Sequence, residues 1–175
     1  MPDMDCRARW EACQRDPIIL EALRGLRASL GAEGCSLLLI DEAAGEMCFA
    51  VSDGLNGQEL TGAGEWPKAF RVSLSAARGI NSTAALMGKA LCFHEMDDRH
   101  NPSVDLAFAQ KTHSVLAIPL VVGESVVATL SAINPHAAAH DETRFRFSDT
   151  DMQTAHGTAA VLTERLAAHG RGAIG

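Results

Sequence analysis

The sequence predicts an α+β fold, with one antiparallel sheet carrying the N- and C-terminal helices on one face and an irregular segment across the other. Three observations lead there. Two pairs of strand-like apolar runs, at 35–52 and 114–133, read as hairpins, and adjacent hairpins build antiparallel sheets. Stretches with apolar residues three and four apart bracket them, at 17–30 and 149–166, which is the spacing of one helix face. The segments around 79–89 and 95–112 are then expected to cover the second sheet face, leaving room for a small-molecule cavity between sheet and cover.

The elements follow in order. Residues 5–30 read as helix in two pieces, because Asp16-Pro17 sets a capping residue before a proline suited to a first helical position. Ile19, Leu23, Leu26 and Leu30 form the apolar stripe, which Cys6, Trp10 and Cys13 continue upstream until Gly31 and Gly34 end the helix. CSLLLID (35–41) and EMCFAVS (46–52) form the first hairpin. Pairing Asp41 with Glu46 sets Ser36 opposite Val51 and on the same side as Asp53. The same register puts Cys35 and Cys48 four positions apart, about 13 Å, beyond the roughly 7 Å a disulfide can bridge.

Residues 54–68 read as a glycine-rich loop, 70–74 as a strand, 79–89 as a short helix and 90–94 as a short strand. Segment 95–112 is irregular, with a helix expected around 106–109. SVLAIPLVV (114–122) and SVVATLSAI (125–133) flank Gly123-Glu124, a two-residue hairpin turn. Ser148 and Asp151 have capping-box spacing, and Met152, Ala155, Ala159, Leu162 and Leu166 give the last helix a narrow apolar seam.

Composition sets the outer limits. The 175 residues suit one domain, expected to span 1–175 with a core at 16–166, a helical extension at 1–15 and a flexible tail at 167–175. With 47% apolar residues the chain can bury a core, and its net charge of −7 disfavours a nucleic-acid surface. No apolar run approaches the roughly 20 residues that span a bilayer, and the N-terminus lacks secretory-signal features. Five scattered cysteines without a Cys-x-x-Cys suit a reducing compartment, so a cytoplasmic location is expected, without nucleic-acid or membrane partners.

Taken in order and spacing, CSLLLID, ARGINSTAALMGKALCFHEMDD, HSVLAIPLVVGESVVATLSAIN and FSDTDMQTAHGTAAVL resemble a GAF domain, a small sensory module of signalling proteins. The resemblance spans about 16–166 and implies a six-stranded antiparallel sheet with a ligand pocket under a mobile cover. Members that bind cyclic nucleotides carry Asn-Lys and later Phe-x-x-x-Asp-Glu. Here Asn134 precedes Pro135, and Phe147 and Asp151 precede Met152, so the salt bridge of that motif has neither partner. Carried over singly, Ser36, Asp53, the Ile80-Asn81 pair and Thr112 match polar or backbone contacts of cyclic-GMP-binding members. Ser131 stands where a carboxylate reads guanine and Phe108 where a threonine stands. A hydroxyl cannot accept from both guanine N–H groups, which weakens the guanine reading.

The implied function is non-catalytic. A small molecule of unspecified identity, with no cofactor specified, binds between sheet and cover and signals through the terminal helices to an output domain or partner protein. Ser36, Asp53, Asn81, Thr112 and Ser131 would orient the ligand, with Ile80, Phe93 and Phe108 as walls. The helical seams also point to a homodimer through the terminal helices. Two alternatives stand beside this reading: a thiol-dependent reductase of free methionine sulfoxide using Cys92, and a dimerisation module with a vestigial pocket. Among the histidines, His136 and His140 are four apart and His94 and His100 flank the cover, but the spacing has no metal-binding meaning in a loop, so solvated loop histidines are expected.

Overall fold

The computed structural model describes residues 4–54, 56–75, 78–95 and 100–172. Helix α1 (Cys6–Gln14) starts where the Asp5 side chain accepts from the Ala8 N–H, and α2 (Pro17–Leu30) where Asp16 accepts from the Ile18 N–H. Gly31, at φ 56, ends α2 in the left-handed conformation that glycine adopts at no steric cost. The six strands are β1 (Gly34–Asp41), β2 (Glu46–Gly54), β3 (Arg71–Ser73), β4 (Leu91–Phe93), β5 (Val115–Val122) and β6 (Ser125–Ile133). They form one antiparallel sheet in the order β3-β2-β1-β6-β5-β4. The expected α+β architecture with terminal helices is therefore the one observed.

Alternation along the strands divides the interior into two layers. Cys35, Leu37 and Leu39 of β1, with Leu116, Ile118 and Leu120 of β5, face α1, α2 and the last helix, α6 (Asp149–Gly172). Leu38 and Ile40, with Met47 and Phe49 of β2, face the other way, toward α3 (Gly57–Thr61), α4 (Ile80–Met87) and α5 (Ser103–Phe108). Ile19, Leu23, Leu26 and Leu30 of α2 and Ala155, Ala159, Leu162 and Leu166 of α6 are buried together against the sheet. The seam offered as a dimer interface is thus consumed inside the chain, where it excludes water from the core on the helical face of the sheet.

The first hairpin departs from the expected register at one residue. Asp41 pairs with Glu46 and Leu39 with Cys48, but Leu38 pairs with Phe49 and Leu37 with Val51, leaving Ala50 as an extra residue. This β-bulge shifts every later partner by one and so reverses the faces beyond it. Ser36 faces Ser52 rather than Val51, and Asp53 falls opposite Cys35, on the helical face. Side chains of α1 satisfy carbonyls at the bulge: the Trp10 indole donates to Phe49 O (3.2 Å) and the Gln14 amide to Ala50 O.

Other elements also differ from expectation. Residues 57–68 hold α3 and two short 3-10 turns, Gly62–Gly64 and Trp66–Lys68, in place of an open loop. The cover helix α5 begins three residues earlier than expected, because Asn101 turns the chain and accepts from the Ser103 N–H. Helix α6 continues to Gly172, so 167–172 is helix rather than tail, and the remainder of the expected tail lies outside the described residues. Residues 96–99 of the irregular segment also lie outside them.

The physical reason for the longer helix is Asp16. Its Oδ1 accepts from Ile18 N–H, while Oδ2 accepts from Arg165 Nε and His169 Nε2, each at 2.8 Å, tying the last turns of α6 to the start of α2. At the other end of α6, Ser148 N–H donates to Asp151 Oδ2 and Asp151 N–H donates to Ser148 Oγ, the reciprocal capping box that the spacing implied. His136 completes that cap by donating from Nε2 to Asp151 Oδ2 at 2.7 Å, and its backbone N–H closes onto Leu30 O. It is a structural histidine rather than a solvated one.

Candidate ligand cavity between sheet and cover

A cavity of about 100 Å³ lies between the sheet and its cover. Its floor is the cover-facing side of β1 and β6, where Ser36 and Ser131 are opposite one another. Its wall is the first turn of α4, with Ile80, Asn81 and Ser82, and its roof comes from α5 and the segment leading into β5, with Val104, Asp105 and Thr112. Gly79 opens α4 without a side-chain cap, and the start of the helix presents the positive end of its dipole at the cavity.

Six of the eight residues expected around a ligand line this cavity: Ser36, Asp53, Ile80, Asn81, Thr112 and Ser131. Their roles separate once bonding is considered. Asn81 Nδ2 donates to Ser131 Oγ (3.1 Å) and Asn81 Oδ1 accepts from Thr129 Oγ1 (3.0 Å), fixing the amide orientation. Ser131 keeps its hydroxyl proton to offer, and Asn81 keeps one N–H. Ser36 Oγ is 2.7 Å from Ser52 Oγ. Asp53, by contrast, directs its carboxylate to α2, where Arg27 Nη1 lies 3.2 Å and Arg24 Nε 3.6 Å away. The bulge at Ala50 sets Asp53 opposite Cys35, and its carboxylate at the edge of the cavity is engaged by these two arginines.

Phe93 and Phe108, expected as walls, are outside the lining. Phe93 packs with Ile80, Ala84 and Val115 beneath α4. Phe108 stacks edge-on against Phe70 at 5.2 Å, and its carbonyl accepts from the Asn56 amide, which pins the end of the cover to α3. Large aromatic rings serve here to seal the neighbouring apolar cluster.

The residue that the sequence reading passed over is Asp105. Its Oδ2 accepts from Thr112 N–H (2.9 Å) and lies 3.2 Å from His100 Nε2, while its Oδ1 accepts from Thr112 Oγ1 (2.8 Å). One buried-side carboxylate thus latches the cover helix to the approach of β5. The pattern Asn101-Pro102-Ser103 was the available signal, since it starts a helix that puts Asp105 in its first turn. Arg78 stands directly before the first turn of α4. It lines the cavity, is exposed, and its guanidinium has no hydrogen-bond or ion-pair partner among the described residues.

Cys92 does not share this space. It pairs with Leu116 and packs into the core on the helical face, with its sulfur 3.6 Å from His94 Nε2. Burial pushes its thiol above the ordinary cysteine value, and pushes Cys6, Cys13, Cys35 and Cys48 to about 12. Such thiols are poor nucleophiles at neutral pH. No three His, Cys, Asp or Glu side chains among the described residues are grouped to hold a metal ion, and none of the described helices is long and apolar enough to cross a membrane.

Known structures share this architecture. A GAF/HD domain protein from Geobacter sulfurreducens superposes with a TM-score of 0.64 at 14% identity, covering 87% of this chain and 92% of that one. A methyl-accepting chemotaxis protein segment gives 0.65 at 16% identity, covering 92% and 96%. The free methionine-R-sulfoxide reductase of Neisseria meningitidis, solved with its substrate, gives 0.64 at 18% identity, covering 94% and 81%. At these identities the likeness concerns fold. No curated protein sequence matches the chain. The model of the GAF domain family matches residues 14–166. The paired hairpins, the terminal helices and the covered cavity are therefore those of a GAF domain, and the chain belongs to that family.

Proposed function

We propose that this GAF domain is a non-catalytic sensor for a compact, acceptor-rich metabolite, such as a small carboxylate, held between sheet and cover. The observation that carries this is the donor excess around the cavity: the Asn81 amide, the Ser131 hydroxyl, the Arg78 guanidinium and the uncapped first turn of α4. Both carboxylates of the described lining are already engaged: Asp105 accepts from Thr112 and lies against His100, and Asp53 is paired with Arg24 and Arg27. Size supports a small occupant, since an apolar cavity of about 150 Å³ holds benzene, whereas drug-sized ligands need about 300–1,000 Å³. Ligand contact at α4 and α5 would shift the cover, and β1 and β6 would carry the change to the terminal helices.

A thiol-dependent reductase is disfavoured by the placement of Cys92, on the opposite face of the sheet from the cavity. A homodimer through the terminal helices would have to use their outer strip, where Ile18, Ala22, Thr158 and Val161 border a shallow groove, since the seam is buried.

Thermal-shift screening of small carboxylates, with native mass spectrometry of the purified protein, tests the reading. A stabilising carboxylate should bind at least tenfold more weakly to Arg78→Ala and to Asn81→Ala. A screen without a hit, or variants that bind like the wild type, would reject it.

A further inference from the structure

We infer that the chain carries a second ligand site, a basic cleft that takes a clustered polyanion of the phosphoryl type. The cleft is open, about 370 Å³, and Thr112 is the residue that its described lining shares with that of the cavity. Lys111, Arg144 and Arg146 converge on it, and Glu95 is the acidic side chain among its described lining residues. Counting Lys, Arg, Asp and Glu among the described lining residues, three cations stand against one carboxylate, on a chain whose net charge is −7. The three cations make no ion pair among the described residues. Like charges gathered on an otherwise acidic protein repel one another unless an anion lies between them.

Ordering distinguishes the cleft from a chance group of surface cations. Phe145 sits at φ 61, a backbone conformation that bulky side chains rarely adopt, and is held there by its N–H donating to Pro135 O at 2.9 Å. In that position its ring stacks on His113, with centroids 4.2 Å apart and planes within 4°. Arg144 lies over the Phe145 ring at 4.8 Å. His113 is anchored in turn, its N–H donating to Asn134 Oδ1 at 2.7 Å. The stack fixes one guanidinium before any ligand arrives, so less side-chain freedom is lost on binding.

The charge number selects the ligand class. An exposed single ion pair contributes little in water, so a lone carboxylate would not be retained. A dianion or trianion contacts all three cations at once, and planar guanidinium forks match phosphoryl oxygens bidentately. The occupant is therefore a phosphoryl group or a pair of them, on a metabolite or free.

Pyrophosphate and acetate, followed by isothermal titration calorimetry and, for pyrophosphate, phosphorus NMR, test this site. Pyrophosphate should bind saturably at one site per chain, and at least tenfold more weakly to the Arg144→Gln/Arg146→Gln double variant. Acetate should show no saturation over the same range. The Arg7→Gln/Lys89→Gln variant, with the same charge loss placed elsewhere, should bind like the wild type. Unaltered urea midpoints would show that both variants fold. The inference is overturned if pyrophosphate does not saturate, if acetate binds equally well, or if the two double variants lose affinity alike.

Discussion

Replacing Asp16 removes three interactions that one carboxylate makes at the junction of the terminal helices. Oδ1 caps α2 through Ile18 N–H, and Oδ2 receives Arg165 and His169. Loss of an N-cap costs about 1 kcal/mol. A hydrogen bond involving a charged group contributes about 1.5–3 kcal/mol. Arg165, with its side chain 36% exposed, recovers much of its share from water, whereas His169, at 11%, does not. Asp16→Ala should therefore lose about 3 kcal/mol in urea denaturation at neutral pH, or roughly 6–12 °C in Tm for a chain of this size. Asp16→Asn keeps the cap and should lose about half as much.

The pH dependence separates charge from packing. Burial pushes the Asp16 carboxyl up, but the hydrogen bonds from Arg165, His169 and Ile18 outweigh it and hold the group below its ordinary 3.8. A group that binds its proton less tightly when folded stabilises fully above its unfolded value, and that contribution fades as pH falls through the lower folded value. The gap between wild type and Asp16→Asn should thus be constant near neutrality and close below about pH 4. A gap that persists unchanged in acid, or a loss under about 0.5 kcal/mol for Asp16→Ala at neutral pH, would refute the assignment of charge-assisted bonding at this junction.

Three further outcomes follow from the same structure. Gly54→Ala should cost more than about 2 kcal/mol, because at φ 112 a β-carbon would overlap Glu33 O and lie 2.8 Å from Gly34 Cα; an unchanged denaturation midpoint would contradict the close approach of β1 and β2. Leu162→Ala, at a fully buried position between helix and sheet, should lose about 2–5 kcal/mol by the same measurement. In timed alkylation at pH 8 followed by intact mass, the half-buried Cys92 should react first, and Cys6, Cys13, Cys35 and Cys48 only as the protein unfolds; rapid labelling of several thiols in the native protein would contradict their burial.

Particular residues show how far a linear reading reached. The seams at Ile19–Leu30 and Ala155–Leu166 located both long helices, because a helix face repeats within the chain itself. Gly123-Glu124 between apolar runs located the second hairpin for the same reason, since two-residue turns bind their flanking strands in register. Asn81, Ser131 and Thr112 were also placed around one space, through resemblance to a known pattern. Asp53 was misplaced because a bulge depends on what lies beneath the strand: Trp10 and Gln14, some forty residues earlier in the chain, bond to the carbonyls at the extra residue.

The opening prediction of one antiparallel sheet with helices at both ends rested on periodicity and turn chemistry, which are local properties, and the architecture followed from them. Whether the seams meet each other or a second copy, which face Asp53 presents, and that Lys111, Arg144 and Arg146 share a cleft are questions about partners far apart in sequence. Periodicity carries no information about those partners. They were set by burial of two apolar stripes against one sheet, by a single-residue bulge that reverses strand parity, and by the stack of His113 on Phe145.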